Sequence, residues 1–317
     1  MSEIEFIRKR LGALPSRWDS RNYRVMRVTP LQFEQLPDEY DELLGYAPTT
    51  PWPDQGDIGT CVGQDGAIVM EITNTLLKEY ADRTRQSDLL RYIHIDLSAG
   101  WLYHWSRKYS FPPVPDQVEG STNFGLMKAL NKVGTATEAA VPTDNVSPWD
   151  GITYTEEDQE TAKQYAIDSY WNIDSNPNDV KAAIYGLTHK APYKMPDGSD
   201  GKIPLVSAYP VYESFMQART GGMVPMPDVG GERLLGGHSS CILGWKIIDG
   251  EEYFINFNSW GSAFGAGGLC YIPVDYPFYS NDWWLVHNGP PSPTDSDCPA
   301  ASVWAWIYNG FEGVFGA

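Results

Sequence analysis

Three residues in this sequence have the types and the order that nucleophilic catalysis by a thiol needs. Cys61 follows the glycine-rich turn Asp54-Gln55-Gly56-Asp57-Ile58-Gly59-Thr60, His238 opens an apolar run, and Asn258 ends another. A thiolate is a strong nucleophile, an imidazole can take up its proton, and an amide oxygen can hold the imidazole in one tautomer. Twenty residues separate His238 from Asn258, enough for a hairpin that returns one beside the other. The pattern predicts acyl transfer through a cysteine nucleophile.

The residues around Cys61 suit thiolate chemistry. From Cys61 to about Arg85 the chain has no proline and its apolar residues recur at near-helical spacing, so a helix is predicted to begin at Thr60 or Cys61. The unpaired N–H groups at a helix start favour the thiolate over the thiol. Gln55 lies six residues before Cys61, and its side-chain amide could donate beside the backbone N–H of Cys61. Two donors next to a nucleophile are what an oxyanion hole requires.

The elements that must position these residues divide into a helical first half and a strand-rich second half. Hydrophobic spacing predicts helices over about 61–85, 97–109, 123–133, 156–169 and 178–186. Short apolar runs rich in strand-favouring residues predict strands over 203–211, 239–248, 252–258 and 268–273. Helices followed by antiparallel strands predict an α+β chain with two lobes.

Each motif is weak when taken alone, because a single buried cysteine or histidine is usually structural. Together and in this order, the motifs resemble those of the papain-like cysteine peptidases, more the compact prokaryotic and viral members than the secreted ones. The family pattern Q-G-x-x-G-[ST]-C is met by Gln55-Gly56-Asp57-Ile58-Gly59-Thr60-Cys61, its histidine by Gly237-His238, and its N-S-W-G by Asn258-Ser259-Trp260-Gly261. Softer matches extend the resemblance over roughly residues 12 to 287.

The resemblance implies a papain-like two-lobed fold, in which a helical lobe and an antiparallel β-barrel-like lobe flank the active-site cleft. It implies Cys61 as the nucleophile, His238 as the general base and then the general acid, and Asn258 as the residue that orients His238. Gln55 would be the oxyanion donor, and Trp260 would shield the histidine–asparagine hydrogen bond from water. The residues of these motifs expected to support the site are Trp260, Gly59 and Gly237.

Two features depart from the family pattern. Asp65 lies four residues after Cys61, on the same predicted helical face, where a carboxylate would raise the pKa of the thiol. We favour the alternative, in which Asp65 is hydrogen-bonded within its lobe and faces away from the sulfur. The N-terminal 50 residues are too short, and too poor in a long helical pattern, to resemble the usual inhibitory pro-segment, so restraint of activity is expected to come from elsewhere.

Composition divides the chain into three predicted regions. Residues 1–50 form an extended N-terminal lead-in, and residues 51–287 form the peptidase domain, with a helical lobe over about 51–200 and a β lobe over about 201–287. Residues 288–317 form a Pro-rich linker and an aromatic C-terminal tail whose last 18 residues carry one charge, Glu312. Such a tail is expected to be buried against its own body, against a partner chain or in the cleft.

Charge and composition argue against several other functions. The 317 residues carry a net charge of −18, which is repelled by phosphate backbones and anionic lipid, so neither nucleic-acid nor membrane binding is predicted. No run reaches the 18 or so apolar residues of a membrane-spanning helix, and the N-terminus is charged where an export signal would be apolar, so a cytoplasmic location is expected. The four cysteines and five histidines show no metal-ligand spacing, so neither a metal nor a cofactor is predicted.

Two functions from different classes stay open at this level. The first is a cysteine peptidase that hydrolyses bonds in peptides or proteins through an acyl-enzyme intermediate; amide or isopeptide hydrolysis would use the same residues. The alternative is a catalytically silent papain-like module of a larger assembly, such as a virion. The presence of Cys61, His238, Asn258 and Gln55 together favours the enzyme, since a silent module has no need to hold all four.

The assignment of the nucleophile predicts the effect of removing each thiol. Cys61→Ala should abolish hydrolysis of a fluorogenic peptide and leave the circular dichroism spectrum unchanged, because it removes one small side chain at a helix start. Cys241, Cys270 and Cys298 are expected to be dispensable, since two lie in predicted apolar strands and one in the linker. Loss of turnover in a folded Cys241→Ser variant would show that the nucleophile is misassigned.

Overall fold

The computed structural model of the chain describes residues 10–17, 36–49, 51–84, 95–146, 151–186 and 202–287. The C-terminal tail, Cys298 and much of the N-terminal lead-in lie outside the described residues, so the expectations for them stay predictions. The division of the chain into three regions also stays a prediction.

The described residues form five α-helices close to the predicted positions. In chain order they are α1 Cys61–Thr84, α2 Ala99–Tyr109, α3 Asn123–Lys132, α4 Glu156–Ala162 and α5 Pro177–Ile184. Side-chain oxygens of Ser98, Thr122 and Thr155 accept backbone N–H groups at the starts of α2, α3 and α4. The prediction for the fourth helix is wrong in length, because α4 ends at Ala162, a 3-10 turn follows, and Ser169 already begins a strand.

Six antiparallel strands form one open sheet within the described residues. They are β1 Ser169–Asn172, β2 Leu205–Tyr212, β3 Leu234–Ile248, β4 Glu251–Phe257, β5 Leu269–Pro273 and β6 Trp283–His287. The strand order is β1-β6-β2-β3-β4-β5. The predicted barrel-like closure is wrong, because β1 and β5 lie at opposite edges of the sheet. Strands β1 and β6 escape prediction because their runs are short and aromatic, without clear polar alternation.

Strand β3 is longer than predicted, and it begins at Leu234 rather than Ser239. His238 therefore lies inside the strand, paired with Tyr209 of β2, instead of opening it. The preceding Gly236-Gly237 obscures this part of the strand in the sequence, since glycine weakens a strand pattern. The histidine is consequently held by the backbone pairing of β3 with β2.

Helix α1 packs against β3 and against α2. Its buried apolar residues include Val62, Ile68, Val69, Met70 and Ile72. Gly63 lies where α1 and α2 approach most closely, since a Cβ built on Gly63 would lie 2.2 Å from the carbonyl oxygen of Ala99. This approach holds the first turn of α1, which carries Cys61, against α2.

The close approach at Gly63 makes a prediction about stability. Gly63→Ala should lower the free energy of unfolding by about 1–3 kcal/mol, because its methyl group would overlap backbone atoms of α2. Gly45→Ala is the matched control, since a Cβ built on Gly45 has no atom within 4 Å. Urea unfolding followed by tryptophan fluorescence measures both variants, and equal transition midpoints would contradict the close packing.

Candidate active site

The glycine-rich turn delivers Cys61 to the first residue of α1. The Thr60 N–H donates to the Ile58 carbonyl (2.7 Å), and the helix ladder begins where the Gln64 N–H donates to the Thr60 carbonyl (3.0 Å). The Thr60 hydroxyl forms no hydrogen bond within the described residues, so it does not cap the helix. The first N–H groups of α1 therefore stay available beside the sulfur, and that of Val62 is hydrogen-bonded to it.

Burial decides the protonation of Cys61 in this structure. The residue is 0% exposed, and this burial raises the pKa of the thiol to about 12. Backbone hydrogen bonds from Ser239, Gly12 and Val62 lower that pKa, whereas the nearby Asp65 raises it. At neutral pH the group is therefore a thiol.

The pairing of β3 with β4 brings His238 beside Asn258. His238 Nε2 lies 2.8 Å from Asn258 Oδ1. The same oxygen accepts the Ser259 N–H (2.8 Å), which identifies it as the amide oxygen, so Nε2 carries the proton. His238 Nδ1 is buried and forms no hydrogen bond within the described residues. It is the ring nitrogen left to receive a proton.

Trp260 covers the imidazole of His238. The two ring centroids are 4.4 Å apart, the planes are tilted by 39°, and both side chains are buried. Burial lowers the pKa of His238 to about 4, the hydrogen bond to Asn258 raises it, and the Arg10 guanidinium lowers it further. The imidazole is therefore neutral at neutral pH, and the indole lies where it keeps water from the histidine–asparagine bond.

Gln55 lies beside the third motif with a fixed amide orientation. Its N–H donates to the Ser259 carbonyl (2.9 Å), and Ser259 Oγ donates to Gln55 Oε1 (2.8 Å). The amide nitrogen Nε2 then donates to the carbonyls of Ile58 (3.0 Å) and Arg10 (2.9 Å). The donor expected to face an oxyanion is thus occupied by a carbonyl from the chain's own N-terminal segment.

Residues 10–17, which we name the N-terminal strap, run across this site. The Ala13 N–H donates to the Gly237 carbonyl (3.0 Å) on one wall of the site. On the other wall, the Ser121 N–H donates to the Gly12 carbonyl (2.8 Å), and Ala13 forms a parallel bridge with Ser121. The strap therefore pairs through its backbone with both walls, as an added strand would.

Glycines let the strap approach the catalytic turn backbone to backbone. A Cβ built on Gly12 would lie 1.9 Å from the Gly59 carbonyl oxygen, and one built on Gly237 would lie 2.0 Å from the Ala13 carbonyl oxygen. Gly59 and Gly237, the two glycines expected to support the site, make room for a peptide chain. The Gly12 backbone lies close enough to Cys61 to lower the pKa of its thiol through a hydrogen bond.

Polar contacts anchor the two ends of the strap. Arg10 Nη1 forms a salt bridge with Asp54 Oδ1 (2.5 Å). At the other end the Ser16 N–H donates to Asp282 Oδ2 (2.9 Å), and Ser16 Oγ accepts the Phe124 N–H (3.1 Å). From the sequence, restraint of the activity is expected to come from outside the N-terminal residues. The anchored N-terminal strap does not support that expectation. The strap escapes prediction because its short apolar sequence has neither a reactive side chain nor a periodic pattern.

Asp65 is hydrogen-bonded, but not within its own lobe. Its Oδ2 lies 2.7 Å from Ser239 Oγ on β3, directly after His238. Burial raises the pKa of Asp65 well above its usual range. A charge on Asp65 would raise the pKa of Cys61. The expectation that Asp65 acts only inside the helical lobe, away from the sulfur, is therefore wrong.

Cys270 is a neighbour of the site that the motifs do not identify. Asn258 Nδ2 donates to Cys270 Sγ (3.9 Å), so this sulfur is the weak acceptor on the far side of the orienting amide. The pairing of Asn256 with Cys270 in β4 and β5 places it there, and that register depends on the sheet. The dispensability of Cys270 stays a prediction.

The chain matches a known protein family in sequence. The model described as papain family cysteine protease matches residues 120–276, which include His238 and Asn258. An uncharacterized peptidase C1-like protein of Acanthamoeba polyphaga mimivirus is 35% identical over 90 residues, 27% of this chain and 28% of the relative. Cathepsin B-like cysteine proteinase 3 of Caenorhabditis elegans is 35% identical over 66 residues, 21% of this chain and 17% of the relative. The matches therefore span less than a third of either relative.

Solved structures share the fold over most of the chain. Xylellain, a cysteine protease from Xylella fastidiosa, is similar with a TM-score of 0.65 and 21% identity, over 89% of this chain and 97% of that chain. Procathepsin B S9 from Trypanosoma congolense is similar with a TM-score of 0.63 and 15% identity, over 90% of this chain and 88% of that chain. The chain therefore has a papain-like fold and matches the papain cysteine protease family over residues 120–276, which confirms the resemblance that the motifs predict.

The described residues contain no metal or membrane feature to add to this site. Among them, no group of three or more His, Cys, Asp or Glu side chains is arranged to hold a metal ion. No helix in the described ranges is long and apolar enough to cross a membrane. Cys61, Cys241 and Cys270 are free thiols. A cytoplasmic or virion location stays a prediction.

The burial of the catalytic pair predicts how the thiol reacts in the intact chain. Between the pKa of His238, about 4, and that of Cys61, about 12, the imidazole and the thiol are both neutral. Because only the thiolate reacts, alkylation of Cys61 by iodoacetamide should rise about tenfold per pH unit from about pH 6 to about pH 9. Mass spectrometry of the Cys61 peptide measures the rate. A rate independent of pH over this range would indicate a thiolate–imidazolium pair instead.

Proposed function

We propose that the chain is a cysteine peptidase that hydrolyses extended peptide segments, with Cys61 as the nucleophile. One observation carries the proposal: a peptide segment, the N-terminal strap, lies across Cys61 and pairs through its backbone with Gly237 and Ser121. Backbone pairing does not depend on side chains, so the same groups can hold other peptides. This supports peptides or proteins as the substrate class.

Acylation in the open site would use three residues, Cys61, His238 and Gln55. Cys61 passes its proton to His238 Nδ1, and Sγ attacks the carbonyl carbon of the scissile amide. Gln55 Nε2 and the N–H groups at the start of α1 stabilise the oxyanion that forms. His238 then gives the proton to the leaving amine as the C–N bond breaks, and a thioester is left on Cys61.

Water completes the cycle. His238 removes a proton from water as the water oxygen attacks the thioester carbonyl, and the C–S bond then breaks. The sulfur recovers the proton from His238, and the carboxylic acid product leaves, so one water is consumed for each bond cleaved. Asn258 Oδ1 holds the Nε2 proton and stabilises the imidazolium that forms in each half of the reaction. Trp260 shields that hydrogen bond.

The strap would keep this activity off in the intact chain. It covers Cys61 and His238, both 0% exposed, and its Arg10 carbonyl occupies Gln55 Nε2 (2.9 Å). Attack requires one peptide unit with its carbonyl carbon at the sulfur and its oxygen at Gln55. In the strap, the backbone beside the sulfur is that of Gly12, whereas the carbonyl at Gln55 is that of Arg10, so the strap is an occupant rather than a substrate. Activity would therefore require displacement of the strap.

Displacing the strap should raise the activity. Gly12→Ala adds a methyl carbon that would lie 1.9 Å from the Gly59 carbonyl oxygen. Overpacking of this kind costs about 1–3 kcal/mol, and turnover of a fluorogenic peptide library should rise about tenfold for each 1.4 kcal/mol by which the strap is destabilised. Gly45→Ala, which meets no atom within 4 Å, is the matched control and should keep the activity of the unmodified chain.

A thiol-reactive peptidyl electrophile gives a second readout of the same variant. Cys61 should be labelled in Gly12→Ala and not in Gly12→Ala combined with His238→Ala, because the base is then missing. The peptidase function would be contradicted if Gly12→Ala folds and its strap is cut by limited proteolysis, but Cys61 is not labelled. That result would favour the alternative, a catalytically silent papain-like module of a larger assembly.

A further inference from the structure

Ser239 is a buried junction directly after the catalytic histidine. Its backbone lowers the pKa of the Cys61 thiol through a hydrogen bond. Its Oγ lies 2.7 Å from Asp65 Oδ2, 2.8 Å from Asn123 Oδ1 and 3.0 Å from the Ser207 carbonyl oxygen. Ser239 and Asp65 are 0% and 1% exposed. One serine side chain thus joins α1, the start of α3 and β2 to the strand that carries His238.

The three oxygens around Ser239 Oγ compete for one hydroxyl proton. The Ser207 group is a carbonyl and can only accept. Asn123 is oriented to accept, because its Nδ2 donates to the Asp282 carbonyl (3.5 Å) and a flipped amide would set two oxygens against each other. Ser239 can donate to one neighbour, so a second short contact needs a proton from elsewhere. Asp65 is the only member of the group that can carry one.

We propose that Asp65 is a carboxylic acid at neutral pH and a positioning residue, which donates its proton to Ser239 Oγ and so holds the start of α1 against β3. The catalytic part of this proposal rests on the proposed function, whereas the protonation state does not. Asp65 Oδ1 is buried and has no hydrogen-bond partner within the described residues. An unpaired buried oxygen costs far more when it carries charge than when it is neutral.

The titratable groups that face Asp65 carry no positive charge that would favour its ionisation. Cys61 lies one turn earlier on α1, Cys241 lies on β3 and Tyr209 on β2, and a charge on Asp65 raises the pKa of each of them. His238, next to Ser239 on β3, is a neutral imidazole in this structure. A neutral acid leaves the space behind the sulfur uncharged, so Cys61 can form a thiolate at a lower pH than it could beside a carboxylate.

Infrared difference spectroscopy tests the protonation state without any need for turnover. The spectrum of the intact chain minus that of Asp65→Asn at neutral pH should show the C=O stretch of a hydrogen-bonded carboxylic acid. Other buried acids with a raised pKa, such as Glu71 and Asp282, cancel because both chains contain them. The paired bands of a carboxylate in place of that stretch would overturn the proposal.

Kinetics in the Gly12→Ala background test the positioning role. Asp65→Asn is the conservative variant, which keeps a donor to Ser239, and it should hold kcat/KM within about threefold with the acid limb of the pH–rate profile unmoved. Asp65→Leu has a similar size and no donor, so kcat should fall about tenfold at unchanged KM, because a buried hydrogen bond is lost while the groups that touch substrate stay in place. A downward shift of the acid limb in Asp65→Asn, or an unaltered kcat in folded Asp65→Leu, would overturn the proposal.

The two proposals can fail separately. If Gly12→Ala hydrolyses no peptide, the proposed function fails, and the infrared comparison still decides whether Asp65 is an acid. If Asp65→Leu does not fold, the Asp65→Asn profile and the infrared bands decide without it. Persistence of the carboxylic acid stretch in Ser239→Ala at a shifted frequency would further identify Ser239 as its partner.

Discussion

The start of helix α1 rests against the middle of strand β3, and the site depends on that contact. Cys61 and Asp65 come from α1, whereas His238 and Ser239 come from β3, 174 residues away along the chain for the Asp65–Ser239 pair. The hydroxyl of Ser239 contacts Asp65, and its backbone lowers the pKa of Cys61 through a hydrogen bond. On its other side, the same helical turn approaches α2 closely at Gly63. The proposed nucleophile and its proposed base therefore share one packed junction.

Because this junction is buried, charges on its ionisable groups are disfavoured. Burial raises the pKa of Cys61 to about 12 and lowers that of His238 to about 4, and it also raises the pKa of Asp65. Charges are costly where water cannot solvate them, and a hydrogen-bonded neutral form is the cheaper state. In this closed form, Cys61 and His238 lie in the same site and are both uncharged. Admission of water, through displacement of the strap, is the step that would allow a thiolate to form.

The groups that hold the strap are the groups that a peptide substrate would need. Gly237 and Ser121 offer backbone partners on the two walls, and Gln55 offers a side-chain donor beside the thiol. Gly59 removes the Cβ that would keep a chain away from the nucleophile. In the proposed function, recognition and restraint would therefore use one set of contacts.

Much of this protein is determined by local sequence. The motif residues Gln55, Cys61, His238 and Asn258 are readable because their chemistry needs fixed residue types in a fixed order, and the helices are readable from a 3.6-residue period and their caps. Tertiary structure alone decides the open sheet with its short strands β1 and β6, the position of His238 inside β3, and the strap across the cleft. It also decides that Asp65 bonds to Ser239 on another element. The reason is physical, because hydrophobic spacing and helix caps act over a few residues. These tertiary contacts join segments that can be more than a hundred residues apart, and they form only when packing excludes water between those segments.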